Sequence, residues 1–245
     1  MRDPSILQDP EGTFHMVWTV SWNEKSIGYA YSKDLINWSQ QIDIPVMEHE
    51  PETRNCWAPE LFYDRSSKQF LVFWASTIPG KFSEGSDQKY NHRLYYFTTK
   101  DFRTFSEVKL FYDQKFSVID AAIIRAGKKY VMFLKDETDK PSTPEKNIRM
   151  AESEKAEGPY GPPSKPITGN YWAEGPTPLN IGGQWFVYFD KYTQHKYGLI
   201  VLSSDLTQWT DQSDKLSMPE GIRHGTAFEV SEKIANKLLA ETSTH

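Results

Sequence analysis

The sequence predicts an all-β fold, a five-bladed β-propeller whose fifth blade is incomplete. Apolar runs and turns recur in a fixed order along the chain, and the interval between copies matches the length of one four-stranded blade. The 245 residues include 14% aromatic side chains, a composition that favours strands. We expect residues 1–245 to form one domain, because all-β folds of this length commonly do.

Each repeat begins with a short run that we interpret as the innermost strand of a blade. These runs start at Asp3, Ala58, Asp120, Glu174 and His224, so successive copies are 50 to 62 residues apart. The innermost strands of a propeller line its central channel. Their first residues are therefore predicted to meet at one mouth of that channel.

Two further elements follow in each repeat. Near-continuous apolar runs, typical of strands buried on both faces, cover residues 14–19, 70–74, 130–134 and 185–189. A turn of shared pattern then occurs at residues 31–39, 98–106 and 203–210, with a looser copy at 151–161. In the three closer copies a small polar residue and an aspartate form the turn, and an aromatic side chain packs back onto the sheet.

The repeats divide the chain into five units, at residues 1–50, 51–113, 114–167, 168–218 and 219–245. We predict four strands in each of the first four units. The fifth unit contains one innermost strand and then a short C-terminal helix, because residues 231–240 have helical spacing. We expect the missing strands, about 40 to 50 residues by blade length, to be encoded upstream of Met1. A β-sandwich with similar hairpins is the alternative fold.

The composition excludes several kinds of partner and site. The formal net charge of −5 argues against a nucleic acid or an anionic membrane as the main partner. No apolar stretch approaches the roughly 18 residues of a membrane helix, and no basic-then-apolar leader begins the chain. A single cysteine, Cys56, excludes an internal disulfide. We expect a monomer.

Three of the predicted innermost strands begin with an acidic residue: Asp3, Asp120 and Glu174. Acids that converge on a channel mouth repel one another, so their presence points to use in chemistry. Glycoside hydrolysis needs one carboxylate to activate water and one protonated acid for the leaving oxygen. The alternative is that each acid caps a strand or accepts a backbone amide.

Five short motifs at these strand starts resemble glycoside hydrolase family 43, five-bladed propellers that act mainly on arabinose- and xylose-containing polysaccharides. The motifs are RDPSI at residues 2–6, WAPE at 57–60, VIDA at 118–121, AEGP at 173–176 and RHGT at 223–226. Their order and spacing, more than any single motif, carry the resemblance. It implies cleavage of arabinosyl, xylosyl or related bonds in an oligosaccharide or polysaccharide by an inverting mechanism.

The resemblance also implies roles for the acids. Asp3 would be the general base, Glu174 the general acid, and Asp120 would orient Glu174 and favour its protonated form. Inversion requires the Asp3 and Glu174 carboxyl groups to lie about 6.5 to 9.5 Å apart. Chain ends fray, so we expect weak activity from a chain that starts two residues before its base. A carbohydrate-binding propeller without activity, or a truncated inactive homologue, is the alternative function.

We expect five further side chains to bind substrate: Trp57, Glu60, Trp172, Arg223 and His224. Aromatic faces stack on sugar rings, and a guanidinium group can fork onto sugar hydroxyls. The resemblance implies that His224 also helps to hold a calcium ion in the central channel, mostly through water, although calcium prefers oxygen ligands. The polar loop at residues 78–91 is predicted to shape the rim.

Overall fold

The computed structural model describes residues 1–84 and 90–242 and arranges its strands in four antiparallel sheets. The first sheet contains β1 (Arg2–Gln8), β2 (Phe14–Thr19), β3 (Ile27–Ser32) and β4 (Ile42–Ile44), and the second contains β5 (Trp57–Asp64), β6 (Gln69–Thr77), β7 (His92–Thr99) and β8 (Lys109–Tyr112). The third contains β9 (Val118–Ala126), β10 (Lys129–Asp136) and β11 (Asn147–Ser153), and the fourth contains β12 (Glu174–Ile181), β13 (Gln184–Lys191), β14 (Lys196–Leu202) and β15 (Trp209–Asp211). A 3-10 turn (Ser213–Lys215) and helix α1 (Glu232–Thr242) complete the described part.

The first strands of the four sheets, β1, β5, β9 and β12, lie side by side around a common centre. Apolar cores fill the spaces between successive sheets, as between Trp74 of the second blade and Val17 of the first. Each apolar run predicted as a second strand forms the middle of its sheet. The prediction of an all-β propeller is confirmed, with four blades in the described residues. Residues 85–89 of the predicted rim loop, and the last three residues of the fifth unit, lie outside the described residues.

The recurring turn has the same backbone conformation in three blades. Leu35, Phe102 and Leu206 each follow the turn aspartate and adopt φ of 64°, 53° and 60°. The carboxylate of Asp34 accepts hydrogen bonds from the backbone amides of Ile36 and Asn37, and those of Asp101 and Asp205 accept from the equivalent turn residues. These bonds stabilise a left-handed residue that would otherwise be strained.

The third blade differs from the prediction of four strands, since its sheet contains three. Residues 161–167 still run beside β11, and the amides of Gly161, Ser164 and Ile167 donate to carbonyl groups of that strand. Three prolines, at 162, 163 and 166, have no N–H to donate and interrupt the ladder. The fourth position of this blade is therefore occupied by an irregular segment.

The predicted innermost strand at residues 224–230 does not form, because it has no second strand beside it to complete a hydrogen-bonded ladder. The segment nevertheless lies between the first and fourth sheets. The Thr226 hydroxyl accepts from the Ile6 amide at 3.2 Å and donates to the Pro4 carbonyl at 2.9 Å. The Ala227 amide donates to the Thr177 hydroxyl at 2.8 Å.

Helix α1 follows this segment and lies near the first blade. Ile234, Ala235 and Leu238 are half-buried on one side of the helix, and Lys237 pairs with Asp34 at 2.6 Å. In the described part of the chain, α1 falls short of the length and apolar character needed to cross a membrane.

Candidate active site

A β-bulge interrupts each inner strand near its start. The register breaks lie between Arg2 and Ser5, between Trp57 and Glu60, and between Glu174 and Thr177, with an equivalent break opposite β10 in the third blade. One residue in each bulge has a positive φ: Asp3 at 47°, Ala58 at 44°, Asp120 at 49° and Gly175 at 60°. Such strain in a side-chain-bearing residue is typical of functional sites, and a bulge re-aims the side chains around it.

The bulges bring Asp3, Asp120 and Glu174 to one cavity of about 670 Å³ at one end of the channel. Their positions in the strands are not all equivalent, which corrects the prediction of a common register. Asp3 and Asp120 occupy the bulge, whereas Glu174 comes one residue earlier, in a ladder pair with Asp190. Trp57, Arg223 and His224 also line this cavity.

Asp3 is held by the neighbouring strands although it is near the N-terminus. The Thr19 hydroxyl donates to Asp3 Oδ2 at 3.0 Å, and the same hydroxyl accepts from the Ala58 amide at 2.8 Å. His224 Nδ1 lies 3.5 Å from Asp3 Oδ1. Arg2 pairs with Thr19 in the ladder and stacks 4.3 Å from the centre of the Trp22 ring.

Asp120 is buried behind the cavity wall, with 5% of its surface exposed. Its Oδ2 accepts from the Gly175 amide at 3.1 Å and lies 3.9 Å from His224 Nδ1. Burial raises the pKa of Asp120 to about 7; the charges of Glu174 and Asp3 add to this effect, and those of His224 and Lys135 oppose it. Asp120 therefore changes protonation near neutrality, and it holds the backbone directly after Glu174.

Glu174 makes its closest described ionic contact with a residue that the sequence reasoning missed. Lys135 Nζ lies 2.9 Å from Glu174 Oε2 and 2.7 Å from Glu137 Oε2. Lys135 follows the apolar run of the third blade and pairs with Ile119 in the ladder. Thr19 and Asp190 occupy the equivalent cross-strand positions in the first and fourth blades. A polar residue at the end of three of the four apolar runs was the sequence signal; in the second blade Ala75 occupies this position.

His224 is buried between the aspartates. Burial lowers the pKa of His224, but the charges of Asp120, Asp3, Glu60 and Glu174 outweigh burial and raise it above its usual value. A Cβ atom on Gly175 would come within 2.6 Å of the His224 ring, so this bulge position needs glycine. In the part of the chain that the structure describes, no three metal-ligating side chains form a group. A calcium ion held by His224 mostly through water stays a prediction.

Aromatic side chains flank the cavity on two sides. The Trp57 indole donates to the Trp22 carbonyl at 3.0 Å, and the two rings meet edge to face at 5.2 Å. Trp22, which the sequence reasoning did not select, is 54% exposed beside the opening. On the side of the fourth blade, Trp172 is 41% exposed and lies 5.9 Å from Tyr192. Tyr192 lines the cavity, whereas Trp172 stands outside it.

Arg223 reaches the cavity through an ion pair with Asp190. Arg223 Nε donates to Asp190 Oδ2 at 2.6 Å. The other oxygen, Asp190 Oδ1, is buried and has no hydrogen-bond partner among the described residues, and Asp190 lines the cavity. A buried carboxylate oxygen without a partner is well suited to accept a hydrogen bond from a hydroxyl group of the substrate.

Glu60 lies outside this cavity, and its substrate-binding role stays a prediction. It lines a second cavity, of about 500 Å³, bordered by Ser5, Thr177 and Thr226. The Ser5 hydroxyl donates to Glu60 Oε2 at 2.6 Å. Burial raises the pKa of Glu60 to about 7, against the effect of the Ser5 hydrogen bond.

One family model and one curated protein match this chain in sequence. A family model described as "Probable glycosyl hydrolase domain" matches residues 1–235. The α-L-arabinofuranosidase of Bifidobacterium longum subsp. longum is 24% identical over 161 residues, which are 56% of this chain and 15% of that protein. The chain thus spans a small part of the length of this curated relative.

Two solved structures have the same fold at low sequence identity. The α-L-arabinofuranosidase from Lactobacillus brevis matches with a TM-score of 0.65 and 20% identity, over 86% of this chain and 72% of that one. An exo-β-1,3-galactanase from Phanerochaete chrysosporium, solved with galactose, matches with a TM-score of 0.63 and 15% identity, over 86% of this chain and 49% of that one. Because the family model spans nearly the whole chain, this protein belongs to glycoside hydrolase family 43.

Proposed function

We propose that this chain hydrolyses arabinosyl, xylosyl or related glycosidic bonds of plant polysaccharides with inversion at the anomeric carbon. The observation that carries the proposal is the convergence of Asp3, Asp120 and Glu174 on one cavity. Acid–base hydrolysis of a glycoside requires two carboxyl groups, a base and an acid, and the third carboxyl group can orient the acid. The family membership and the arabinofuranosidase and galactanase relatives support a glycosidase.

Asp3 acts as the general base. It removes a proton from the water that attacks the anomeric carbon on the face opposite the leaving group. The hydroxyl of Thr19 and the imidazole of His224 both face its carboxylate, at 3.0 and 3.5 Å. These contacts orient the carboxylate oxygen atoms of Asp3.

Glu174 acts as the general acid. It donates its proton to the glycosidic oxygen as the bond to the anomeric carbon breaks, and the attacking water supplies the new hydroxyl group. Asp120 accepts a hydrogen bond from the Gly175 amide and thereby anchors the bulge that directly follows Glu174. Sugar rings would stack on Trp57 and Trp22, while Asp190 Oδ1 and Arg223 bind hydroxyl groups.

The propeller is proposed to have five blades, with residues 224–228 at the innermost position of the fifth. The hydrogen bonds of Thr226 to Pro4 and Ile6, and of Ala227 to Thr177, support this placement between the first and fourth sheets.

A panel of nitrophenyl glycosides tests the function, with Glu174→Gln as the variant. The wild-type chain is expected to release nitrophenol from an arabinofuranoside, a xyloside or a galactoside. For an unactivated oligosaccharide, Glu174→Gln should lower kcat by roughly 10²- to 10⁴-fold, because the leaving oxygen then receives no proton. NMR of the first-formed anomer tests the stereochemistry.

Retention of configuration would contradict the roles given to Asp3 and Glu174. Sugar binding by the wild-type chain without turnover of any glycoside would support the alternative of a non-catalytic carbohydrate-binding propeller.

A further inference from the structure

Lys135 is a buried cation that the proposed mechanism does not use. It lies near the end of β10 in the third blade and is 2% exposed. Its ammonium group crosses to the fourth blade, where it meets Glu174 Oε2 at 2.9 Å. It also lies 4.7 Å from the centre of the Tyr192 ring. Lys135 lines the cavity, and its ion pairs there are with the carboxyl groups of Glu174 and Glu137.

Lys135 is itself held by a chain of ion pairs that leads away from the cavity. Glu137 Oε2 lies 2.7 Å from Lys135 Nζ, and Glu137 Oε1 lies 2.7 Å from Lys146 Nζ. Lys146 also pairs with Asp139 at 3.0 Å. A buried ion pair with several hydrogen-bonded partners has a defined geometry, and removing one member leaves an uncompensated charge. The position of the Lys135 ammonium is therefore fixed independently of Glu174.

Several other charged or titratable groups act on Glu174 electrostatically from the surrounding elements: Asp120, Asp190, Tyr192, Arg223 and His224. Asp120 accepts a hydrogen bond from the Gly175 amide, and Asp190 pairs with Arg223. Only Lys135 combines opposite charge with a described hydrogen bond to the carboxylate.

We propose that Lys135 is the positioning residue for the catalytic acid: its ammonium group, anchored by Glu137, fixes the orientation of the Glu174 carboxyl group in the cavity wall. This inference rests on the proposed role of Glu174. The ammonium group binds Oε2 and leaves Oε1 to carry the proton toward the leaving oxygen. When Glu174 is protonated, Lys135 keeps Glu137 as its counter-charge, so the anchor persists through the catalytic cycle.

The contact has a second consequence for the reaction. An ammonium group beside a carboxylate favours its ionised form. Replacing Lys135 by a neutral side chain removes this charge from the carboxyl group, and this gives the contact a readout that packing alone would not change.

The test compares Lys135→Met with Lys146→Met. Both variants replace a buried lysine of the same ion-pair chain, but only Lys135 contacts Glu174. Kinetics against pH are measured for the wild type and both variants. In Lys135→Met, kcat is expected to fall roughly 10- to 100-fold with little change in KM, as for a misplaced catalytic group. The alkaline limb of its pH profile should move to higher pH, whereas Lys146→Met should keep the wild-type limb.

A double variant, Lys135→Met with Glu137→Gln, guards against failure to fold, since it removes both members of the pair and leaves no unpaired acid at position 137. An unchanged alkaline limb in a folded Lys135 variant would overturn the proposal, as would the same displacement in Lys146→Met.

A second measurement does not depend on activity. The ¹³C resonance of the Glu174 carboxyl carbon, assigned by its loss in Glu174→Gln, is followed against pH. Its titration midpoint should be higher in Lys135→Met than in the wild type, and equal midpoints would overturn the proposal. If the wild type hydrolyses no glycoside while the midpoint still moves, the proposed function fails and the Lys135 contact stands.

Discussion

A positive φ at one residue of each inner strand decides which side chains meet at the channel mouth. Asp3, Asp120 and Gly175 share this conformation, yet the acid of the fourth blade is Glu174, the residue before its bulge. The acid and the base therefore occupy different strand positions. Each has its own polar partner, Lys135 for Glu174 and Thr19 for Asp3. The difference in partners distinguishes two carboxyl groups that are chemically alike.

Glu60 makes stability depend on pH. Burial raises the pKa of this residue from 4.5 to about 7, so the folded state binds its proton more tightly than the unfolded state. The stabilising effect of that proton is complete below about pH 4.5 and is lost as pH rises through about 7. Glu60→Gln keeps an oxygen for the Ser5 hydroxyl and removes the titration.

We therefore expect the melting temperature of Glu60→Gln, relative to wild type, to rise by about 5–10 °C between about pH 5 and about pH 8. Differential scanning calorimetry at the two pH values measures it. Glu152→Gln, at an exposed position, serves as the control and should show no such rise. A difference between Glu60→Gln and wild type that is constant with pH would contradict the burial of the charge.

At the scale of the elements, close packing between neighbouring strands depends on glycine opposite an aromatic residue. In the first blade Gly28 pairs with Trp18, and in the fourth blade Gly198 pairs with Phe189. A Cβ atom on Gly198 would lie 2.3 Å from the Phe189 ring. The ring fills the space that a side chain would need, and this fixes the contact between β13 and β14.

Gly198→Ala should lower the free energy of unfolding by about 1–3 kcal/mol, because Phe189 must leave its rotamer in a filled core. Urea denaturation followed by tryptophan fluorescence measures the loss. Gly161→Ala is the matched control, since its nearest neighbour to a new Cβ is 3.7 Å away. Its effect should stay within about 0.5 kcal/mol. Equal stability of the two variants would show that the blade tolerates displacement of Phe189.

The elements also show where sequence patterns succeed. The apolar runs predicted as second strands form β2, β6, β10 and β13, because burial on both faces of a middle strand selects apolar residues at every position. The predicted fourth strand of the third blade does not form, and the reason is visible in the sequence. Prolines 162, 163 and 166 remove backbone donors that a ladder needs.

For the whole molecule, the ring depends on how its first and fourth sheets are joined. Thr226 contributes one hydroxyl to two hydrogen bonds with β1, at Pro4 and Ile6. The Ala227 amide bonds to Thr177 of β12. Both contacts lie directly after His224, so the connection between the sheets also positions a residue of the site.

Thr226→Val should lower the free energy of unfolding by about 1–3 kcal/mol, since it leaves polar backbone groups of β1 without partners. It should also speed hydrogen exchange at the Ile6 amide, measured by NMR. Thr226→Ser keeps the hydroxyl and serves as the control, with exchange close to that of the wild type. Unchanged protection of Ile6 in Thr226→Val would mean that the segment does not join the sheets.

The sequence by itself determined the propeller and the convergence of three acids, because repeated apolar runs and turns are local patterns whose spacing sets the blade length. The tertiary structure decided which other groups meet them. Lys135 and Asp190 enter the cavity because bulges re-aim strands of neighbouring blades, and Glu60 turns to the other cavity for the same reason. Residues 224–230 do not form the predicted strand, since a strand requires a hydrogen-bonded neighbour that no local pattern can supply.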